Sequence, residues 1–198
     1  MSIPKRGLAL SAVALAGFGL TTAKADLDYR FYEAIDGAAM QGLLDSADYP
    51  DNPTQTVLFN AAPFFFADDI ALSETSGFFE FPQNGDAGFP GGDSGLDNYG
   101  GAVSGILYPP VTGEYRFHIR SDDNSSFYIN TAGVEPISAD DIKSGAIAPV
   151  AIETGCCAGY QPFSSAEETS DPIMLEAGQG YYIEYLWKEG GGGDWFQV

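Results

Sequence analysis

The chain has 198 residues, of which 28 are acidic and only eight are Lys or Arg, so its formal net charge is −20 at pH 7. Nucleic acids and anionic membrane surfaces are bound through cationic patches, and this charge balance argues against both as partners. The length fits a single domain, and the 25 glycines and 14% aromatic residues, with almost no helical periodicity, favour an antiparallel β-fold.

The N-terminus has the features of a secretory signal peptide. Lys5-Arg6 is followed by a short apolar run over 7–20 and by the small-x-small pattern Ala23-Lys24-Ala25. These features predict a signal peptide over 1–25, with a short membrane anchor as the alternative. The domain at 26–198 would then keep five basic and 28 acidic residues, a balance of −23. We therefore expect a secreted or cell-surface protein whose mature domain is not inserted in a membrane.

The first half of the domain alternates short apolar runs with turn residues, as antiparallel sandwiches do. Prolines in the turn-rich stretch exclude a central strand there. The predicted elements are a strand at 28–33, one helical turn within 37–44, a turn-rich stretch at 45–54, a long Gly/Asp-rich surface loop at 84–101 and a strand at 103–108.

A strand is predicted at 113–120, where apolar and polar residues alternate. Tyr115, Phe117 and Ile119 share one face, and His118 lies on the opposite, wetter face. His118 is the only histidine of the chain and has no partner at ligand spacing. We therefore assign it neither a catalytic nor a metal-binding role.

The C-terminal part of the domain repeats the same pattern. Alternation in the longest run predicts that Tyr181, Ile183, Tyr185 and Trp187 face one way. A final strand begins at Asp194, and the chain stops inside it, so we expect a domain cut in or near its last strand and further domains beyond it. The other predicted elements are a short helix at 138–143, a strand at 173–175 and a strand at 181–187.

Two adjacent carboxylates stand between the strand at 113–120 and a second alternating run. Asp122 and Asp123 repel each other, and both remain ionised most easily when a cation lies between them. Calcium accepts irregular sets of carboxylate and carbonyl oxygens. The chain also contains Asp pairs at 68–69 and 140–141, but only Asp122-Asp123 has a predicted strand on both sides. The sequence therefore predicts a calcium site at Asp122 and Asp123.

Several segments, in this order and spacing, span nearly the whole domain. They are Tyr29-Arg30-Phe31-Tyr32, Asp97-Asn98-Tyr99-Gly100, the run at 104–113, the run at 115–125, the run at 175–185 and the run at 188–194. Together they resemble the protective-antigen-type (PA-fourteen) domain family of bacterial toxins, glycosidases and yeast flocculin-type adhesins. The resemblance implies an all-β fold: an antiparallel, jelly-roll-like β-sandwich with long loops and at most short helical turns.

The resemblance also implies a set of calcium ligands. In the sugar-binding members, a pair of aspartates joined by a cis peptide chelates calcium, and Asp122 and Asp123 occupy those positions here. The loop before the last strand supplies the other ligands, which here correspond to the side chain of Glu189 and the carbonyl groups of Gly191 and Gly193. Glu189 stands where such members often carry a neutral Asn, and it adds a third negative charge.

Cys156 and Cys157 are the only cysteines of the chain. In an exported protein we expect them to be oxidised. A disulfide between the two neighbours is the favoured state, while intermolecular links and free thiols stay open as alternatives. A rigid apolar step beside the site or a simple loop staple would be its role.

These features predict a calcium-dependent, lectin-like carbohydrate-binding module of an adhesin or a polysaccharide-active protein, with glycans as partners. Asp122 and Asp123 would contact the sugar through calcium, while Trp195, Tyr128 or Tyr160 stacks on a sugar face. The alternative is a structural or interaction domain of a surface protein without sugar binding. We expect no catalysis, because the sequence contains no nucleophile triad, histidine metal cluster or phosphate-binding loop.

Overall fold

The protein is described by a computed structural model that covers residues 27–59, 80–81, 97–155, 168–192 and 195–198. Several of the predicted features lie outside these residues. They are the signal peptide, most of the Gly/Asp-rich loop, Cys156, Cys157, Tyr160 and Gly193.

The described elements are mostly short antiparallel strands, with two helices of six residues each. Neither helix is long and apolar enough to cross a membrane. In chain order the elements are β1 (Leu27–Tyr32), α1 (Met40–Asp45), β2 (Gln55–Phe59), β3 (Glu80–Phe81), β4 (Tyr99–Leu107), β5 (Gly113–Tyr115), β6 (Arg120–Asp122), β7 (Asn124–Asn130), α2 (Ala139–Ser144), β8 (Ala151–Glu153), β9 (Ile173–Leu175), β10 (Tyr181–Glu189) and β11 (Trp195–Gln197).

Six strands form the larger sheet, in the order β2-β1-β4-β10-β7-β8. Each neighbouring pair is antiparallel, and the nine-residue strands β4 and β10 form its centre, from Tyr181 opposite Leu107 to Glu189 opposite Tyr99. The second layer contains the sheet β3-β11-β6 and the pair β5-β9. This arrangement confirms the predicted all-β, sandwich-like fold.

The interior between the layers is filled by alternate residues of the strands, as a period of two requires. Tyr181, Ile183, Tyr185 and Trp187 all belong to this core cluster, which confirms the predicted face of β10. Phe196 of β11 packs on Trp187 from the opposite layer, with ring centroids 4.9 Å apart. The core therefore joins both sheets directly beneath the end of β10.

The outer face of the larger sheet carries a second apolar cluster, covered by the two helices. Leu43 of α1 and Ile142 of α2 contribute to it. At its centre the buried Glu184 carboxylate accepts hydrogen bonds from Tyr49 Oη at 3.1 Å and from Tyr182 Oη at 2.9 Å. Both predicted helical segments are thus confirmed, and they serve to bury one face of the sheet.

Two expectations are corrected. The strand predicted at 113–120 is divided into β5 and β6, although the connecting residues still pair with the chain at 168–170: the Ser170 N–H donates to the Phe117 carbonyl at 2.9 Å. The predicted loop at 84–101 ends earlier, because Tyr99 already begins β4. A Cβ at Gly101 would lie 2.9 Å from Tyr29, so its glycine leaves room for a core ring and does not mark a loop.

Candidate functional site

The aspartate pair lies where the chain passes from the smaller sheet to the larger one. Asp122 is the last residue of β6, Asp123 follows it through a cis peptide bond, and β7 begins at the next residue. Trp187 Nε1 donates a hydrogen bond to the Asp122 carbonyl at 3.0 Å, and Ser121 Oγ donates to the Asp123 carbonyl at 2.5 Å. Core and strand groups therefore hold the backbone of the pair. The cis bond is the geometry that the family resemblance implies.

Glu189 brings a third carboxylate to the same place. It is the last residue of β10 and shares a face with Trp187, because the two are separated by one residue of a strand. One carboxylate oxygen from each of Asp122, Asp123 and Glu189 lies within 4.8 Å of the other two. Exposure is only 8% for Asp122, 6% for Asp123 and 0% for Glu189. We call these three residues the carboxylate cluster.

The glycine turn after β10 contacts the cluster through its main chain. The Gly190 N–H donates to Asp123 Oδ2 at 3.0 Å, which fixes the orientation of that carboxylate. A Cβ at Gly190 would lie 2.8 Å from the Ala38 nitrogen, so the turn packs against the main chain before α1. On the other side, the Gly192 N–H donates to Asp97 Oδ1 at 3.3 Å. Glycine is needed at this turn because the backbone approaches its neighbours so closely.

One buried lysine stands beside the cluster. Lys188 has no exposed surface, and its Nζ donates to the Glu189 carbonyl at 2.6 Å. Burial lowers the pKa of the Lys188 ammonium to about 8, while the carboxylates of Glu189, Asp123 and Asp36 act in the opposite direction. The cluster thus contains three carboxylates and is flanked by one cationic side chain.

This donor set fits a hard divalent cation. All three side chains offer oxygen atoms, which calcium and magnesium prefer over nitrogen or sulfur. Three carboxylates held this close repel one another, and a cation among them relieves that repulsion. Calcium suits the set better than magnesium, because its coordination is less regular and accepts main-chain carbonyl groups as well.

The structure brings some of the predicted residues together and separates others. Gly191 lies in the exposed glycine turn, next to Asp97. The main chain of Trp195 pairs with that of Asp122 across β11 and β6, and its side chain lies outside the described part. Tyr128 does not reach the cluster: it lies five residues along β7 from Asp123, about 17 Å at the rise of a strand.

Burial also removes Tyr128 from the set of stacking candidates. Only 4% of it is exposed, and it belongs to the apolar cluster on the outer face of the larger sheet, with Leu186 and Tyr182. Its ring packs inside the protein and offers no face to a sugar. Its nearness to the aspartate pair in sequence was misleading, because alternate residues of a strand point to opposite faces.

Lys188 and Asp97 are the residues of the site that sequence reasoning missed. A signal for Lys188 was available: it is the only basic residue in the run of β10, whose other residues are apolar or aromatic apart from Glu184 and Glu189. Asp97 gave no such signal, because its contact with Gly192 joins residues 95 positions apart. Such a contact depends on the packing of two loops.

A second group of charges lies behind the site, beside β6. Arg120 forms an ion pair with Glu168 and lies 3.8 Å from Glu153 Oε2. Burial, together with a hydrogen bond to Glu168, raises the pKa of Glu153. Burial acts in the same direction on Glu168, but its hydrogen bonds with Arg120 and Glu153 outweigh it and lower the pKa of Glu168. Arg120, two residues before Asp122 in β6, therefore interacts with carboxyl groups from two neighbouring segments of the chain.

Comparison with known proteins gives one family match and two related sequences. The family model described as PA14 domain matches residues 85–197. Over 93 residues the chain is 34% identical to fibrocystin-L of Mus musculus and 32% identical to fibrocystin-L of Homo sapiens. The matched region is 47% of this chain and 2% of each relative, so the chain corresponds to a very small part of those proteins.

Similar solved structures include an adhesin domain and a β-glucosidase. The epithelial adhesin 9 A domain of Candida glabrata, in complex with Galβ1-3GlcNAc, is 14% identical with a TM-score of 0.49, over 88% of this chain and 80% of that one. The β-glucosidase of Kluyveromyces marxianus, in complex with glucose, is 14% identical with a TM-score of 0.43, over 96% of this chain and 18% of that one.

Proposed function

The chain belongs to the PA14 domain family, and from that premise we propose that it is a calcium-dependent carbohydrate-binding module. Asp122, Asp123 and Glu189 would hold the ion, with main-chain carbonyl groups of Gly191 and Gly193 completing its coordination. Bound calcium would supply coordination positions for neighbouring hydroxyl groups of a sugar. The module would act in an exported protein, where its net charge keeps it soluble and dissolved calcium is available.

The observation that carries the proposal is the convergence of the carboxylate cluster. Its three carboxylates come from two separate chain crossings, yet one oxygen of each lies within 4.8 Å of the others. Three buried carboxylates this close together repel one another, and a cation among them would relieve that repulsion. The Gly190 N–H on Asp123 Oδ2 holds one of these carboxylates in position.

Binding without catalysis is the activity we propose for this site. A glycosidase holds its two carboxyl groups about 5–9.5 Å apart, on opposite sides of the bond that is cleaved. Here the carboxylates converge within 4.8 Å, which suits a shared ion better than a sugar bond between them. The ring of Trp195 or of Tyr160 would then provide the apolar face for the sugar.

The test is calcium and glycan binding by the wild-type chain and by Asp123→Asn. Calorimetry measures calcium affinity, and a glycan array is read in millimolar calcium and again in chelator. Asp140→Asn is the matched control, because it removes one charge from a second Asp pair, in the first turn of α2. We expect both signals to be lost in Asp123→Asn and retained in the control.

The outcomes separate the proposal from its alternative. A folded wild-type chain that binds no calcium would refute the metal site. Calcium binding without any glycan signal would refute the lectin function and would favour a structural or interaction domain stabilised by the ion. Glycan binding that persists in chelator would show that the sugar is recognised elsewhere.

A further inference from the structure

Lys188 lies beside the carboxylate cluster but has no role in the proposed binding of calcium and sugar. Its side chain is completely buried at the end of β10, and its stem lies under α1, where a Cβ at Gly42 would be 3.6 Å from Lys188 Cε. A lysine is almost never buried in this way without a compensating partner. Its Nζ donates to the Glu189 carbonyl at 2.6 Å, next to a proposed ligand.

The charges around Lys188 identify the partner. Glu189, Asp123 and Asp36 are the carboxylates that act on its ammonium group, and the first two belong to the carboxylate cluster. The neutral carbonyl of Glu189 satisfies one donor of the ammonium group but does not balance its charge. The carboxylates of Glu189 and Asp123 attract this charge, and both belong to the cluster beside which the lysine is buried.

We propose that Lys188 is the fixed counter-ion of the carboxylate cluster, and that it sets the ionic charge the cluster accepts. This inference rests on the proposed calcium site. Asp122, Asp123 and Glu189 carry three formal negative charges, and Lys188 reduces the local sum to two. A divalent cation then neutralises the site, whereas a trivalent cation leaves an excess positive charge.

Two consequences follow from Coulomb's law. In the absence of metal, Lys188 partly offsets the repulsion among the carboxylates and so stabilises the empty fold. When a cation binds, Lys188 repels it in proportion to the charge of the cation. Removing the lysine charge should therefore strengthen binding of a trivalent ion more than binding of a divalent one; if calcium binds about tenfold more tightly, terbium should bind about thirtyfold more tightly.

The experiment compares Lys188→Met with Lys143→Met in the whole chain. The lysines are matched, because Lys143 Nζ also donates to a main-chain carbonyl at 2.6 Å, that of Tyr49, away from the cluster. Calcium affinity is measured by calorimetry. Terbium affinity is measured by luminescence excited through Trp187, whose indole donates to the Asp122 carbonyl at 3.0 Å. Melting temperature is recorded in chelator and in calcium.

For Lys188→Met we expect about tenfold tighter calcium binding, an approximately threefold higher ratio of terbium to calcium affinity, and a lower melting temperature in chelator. Lys143→Met should leave all three unchanged. Weaker calcium binding or an unchanged ratio in Lys188→Met, with a wild-type chain that binds calcium, would overturn the inference and leave the calcium site standing. A wild-type chain that binds neither ion would instead refute the proposed function.

Lys188→Arg covers the case in which the Met variant does not fold in chelator. Arginine keeps the charge, so the ratio of terbium to calcium affinity should remain that of the wild type. A changed ratio in this variant would also overturn the inference, because the charge at this position is what it invokes.

Discussion

Neutralising Glu189 should make the chain more stable without metal and less able to bind it. Two unit charges within 4.8 Å of each other repel by at least about 3.5 kcal/mol at an effective dielectric constant of about 20. Glu189→Gln removes two such repulsions, with Asp122 and Asp123, and one attraction to Lys188. The two repulsions outweigh the single attraction, and we expect a net gain in unfolding free energy of about 1–3 kcal/mol after relaxation.

Thermal unfolding in chelator and in calcium measures both effects. In chelator the variant should melt about 2–12 °C above the wild type, since each kcal/mol shifts the midpoint by about 2–4 °C in a domain of this size. In calcium the wild type should gain stability as ligand saturates the native state, while the variant gains much less. Glu114→Gln, at an exposed position of β5, is the charge control. A variant that melts below the wild type in chelator would refute the premise that the three carboxylates repel one another.

Two further predictions concern residues around the site. Burial raises the pKa of Glu153 above its usual 4.5, so the stability that its carboxyl group contributes is present below that value and is lost as pH rises through the folded pKa. The unfolding free energy of Glu153→Gln, measured by urea denaturation, should therefore exceed that of the wild type by an amount that grows from pH 4 to pH 7. A difference that stays constant over this range would contradict the prediction. Gly190→Ala should lose about 1–3 kcal/mol of stability and bind calcium more weakly, because the new Cβ would lie 2.8 Å from the Ala38 nitrogen. Gly113→Ala is the control, because a Cβ at Gly113 would have no neighbour within 4 Å. If Gly190→Ala and Gly113→Ala had the same denaturation midpoint, the close approach of Gly190 to Ala38 would not explain the loss.

Alternation in the sequence predicted the elements whose one face is buried. The run at 181–187 identified the core face of β10, and its four aromatic or aliphatic residues lie in the core. The division of the strand at 113–120 could not be predicted, because it depends on pairing with residues 168–170, which lie about fifty positions away. The pattern of a strand records which side of a residue is buried, but it does not record which strand lies beside it.

The sequence predicted only part of the candidate site, because local patterns do not show contacts between distant residues. Asp122 and Asp123 are adjacent in sequence, so their pairing is visible without a structure. Glu189 was assigned through the family resemblance, and the structure brings its carboxylate to the aspartate pair. Tyr128 was wrong as a stacking residue, because nearness in sequence does not place a side chain on the same face. Lys188 was missed, since the compensating charge of a buried lysine becomes visible only when its surroundings are known.

The carboxylate cluster is built from the two places where the chain crosses between the sheets. Asp122 and Asp123 join β6 of the smaller sheet to β7 of the larger one, and Glu189 begins the return from β10 to β11. An ion bound there would cross-link the two layers at one edge of the sandwich. Under a pulling force, such as a tethered cell experiences in flow, sliding of one layer over the other would require these bonds to the ion to break first. Calcium would then determine the mechanical strength of the domain as well as its affinity for a ligand.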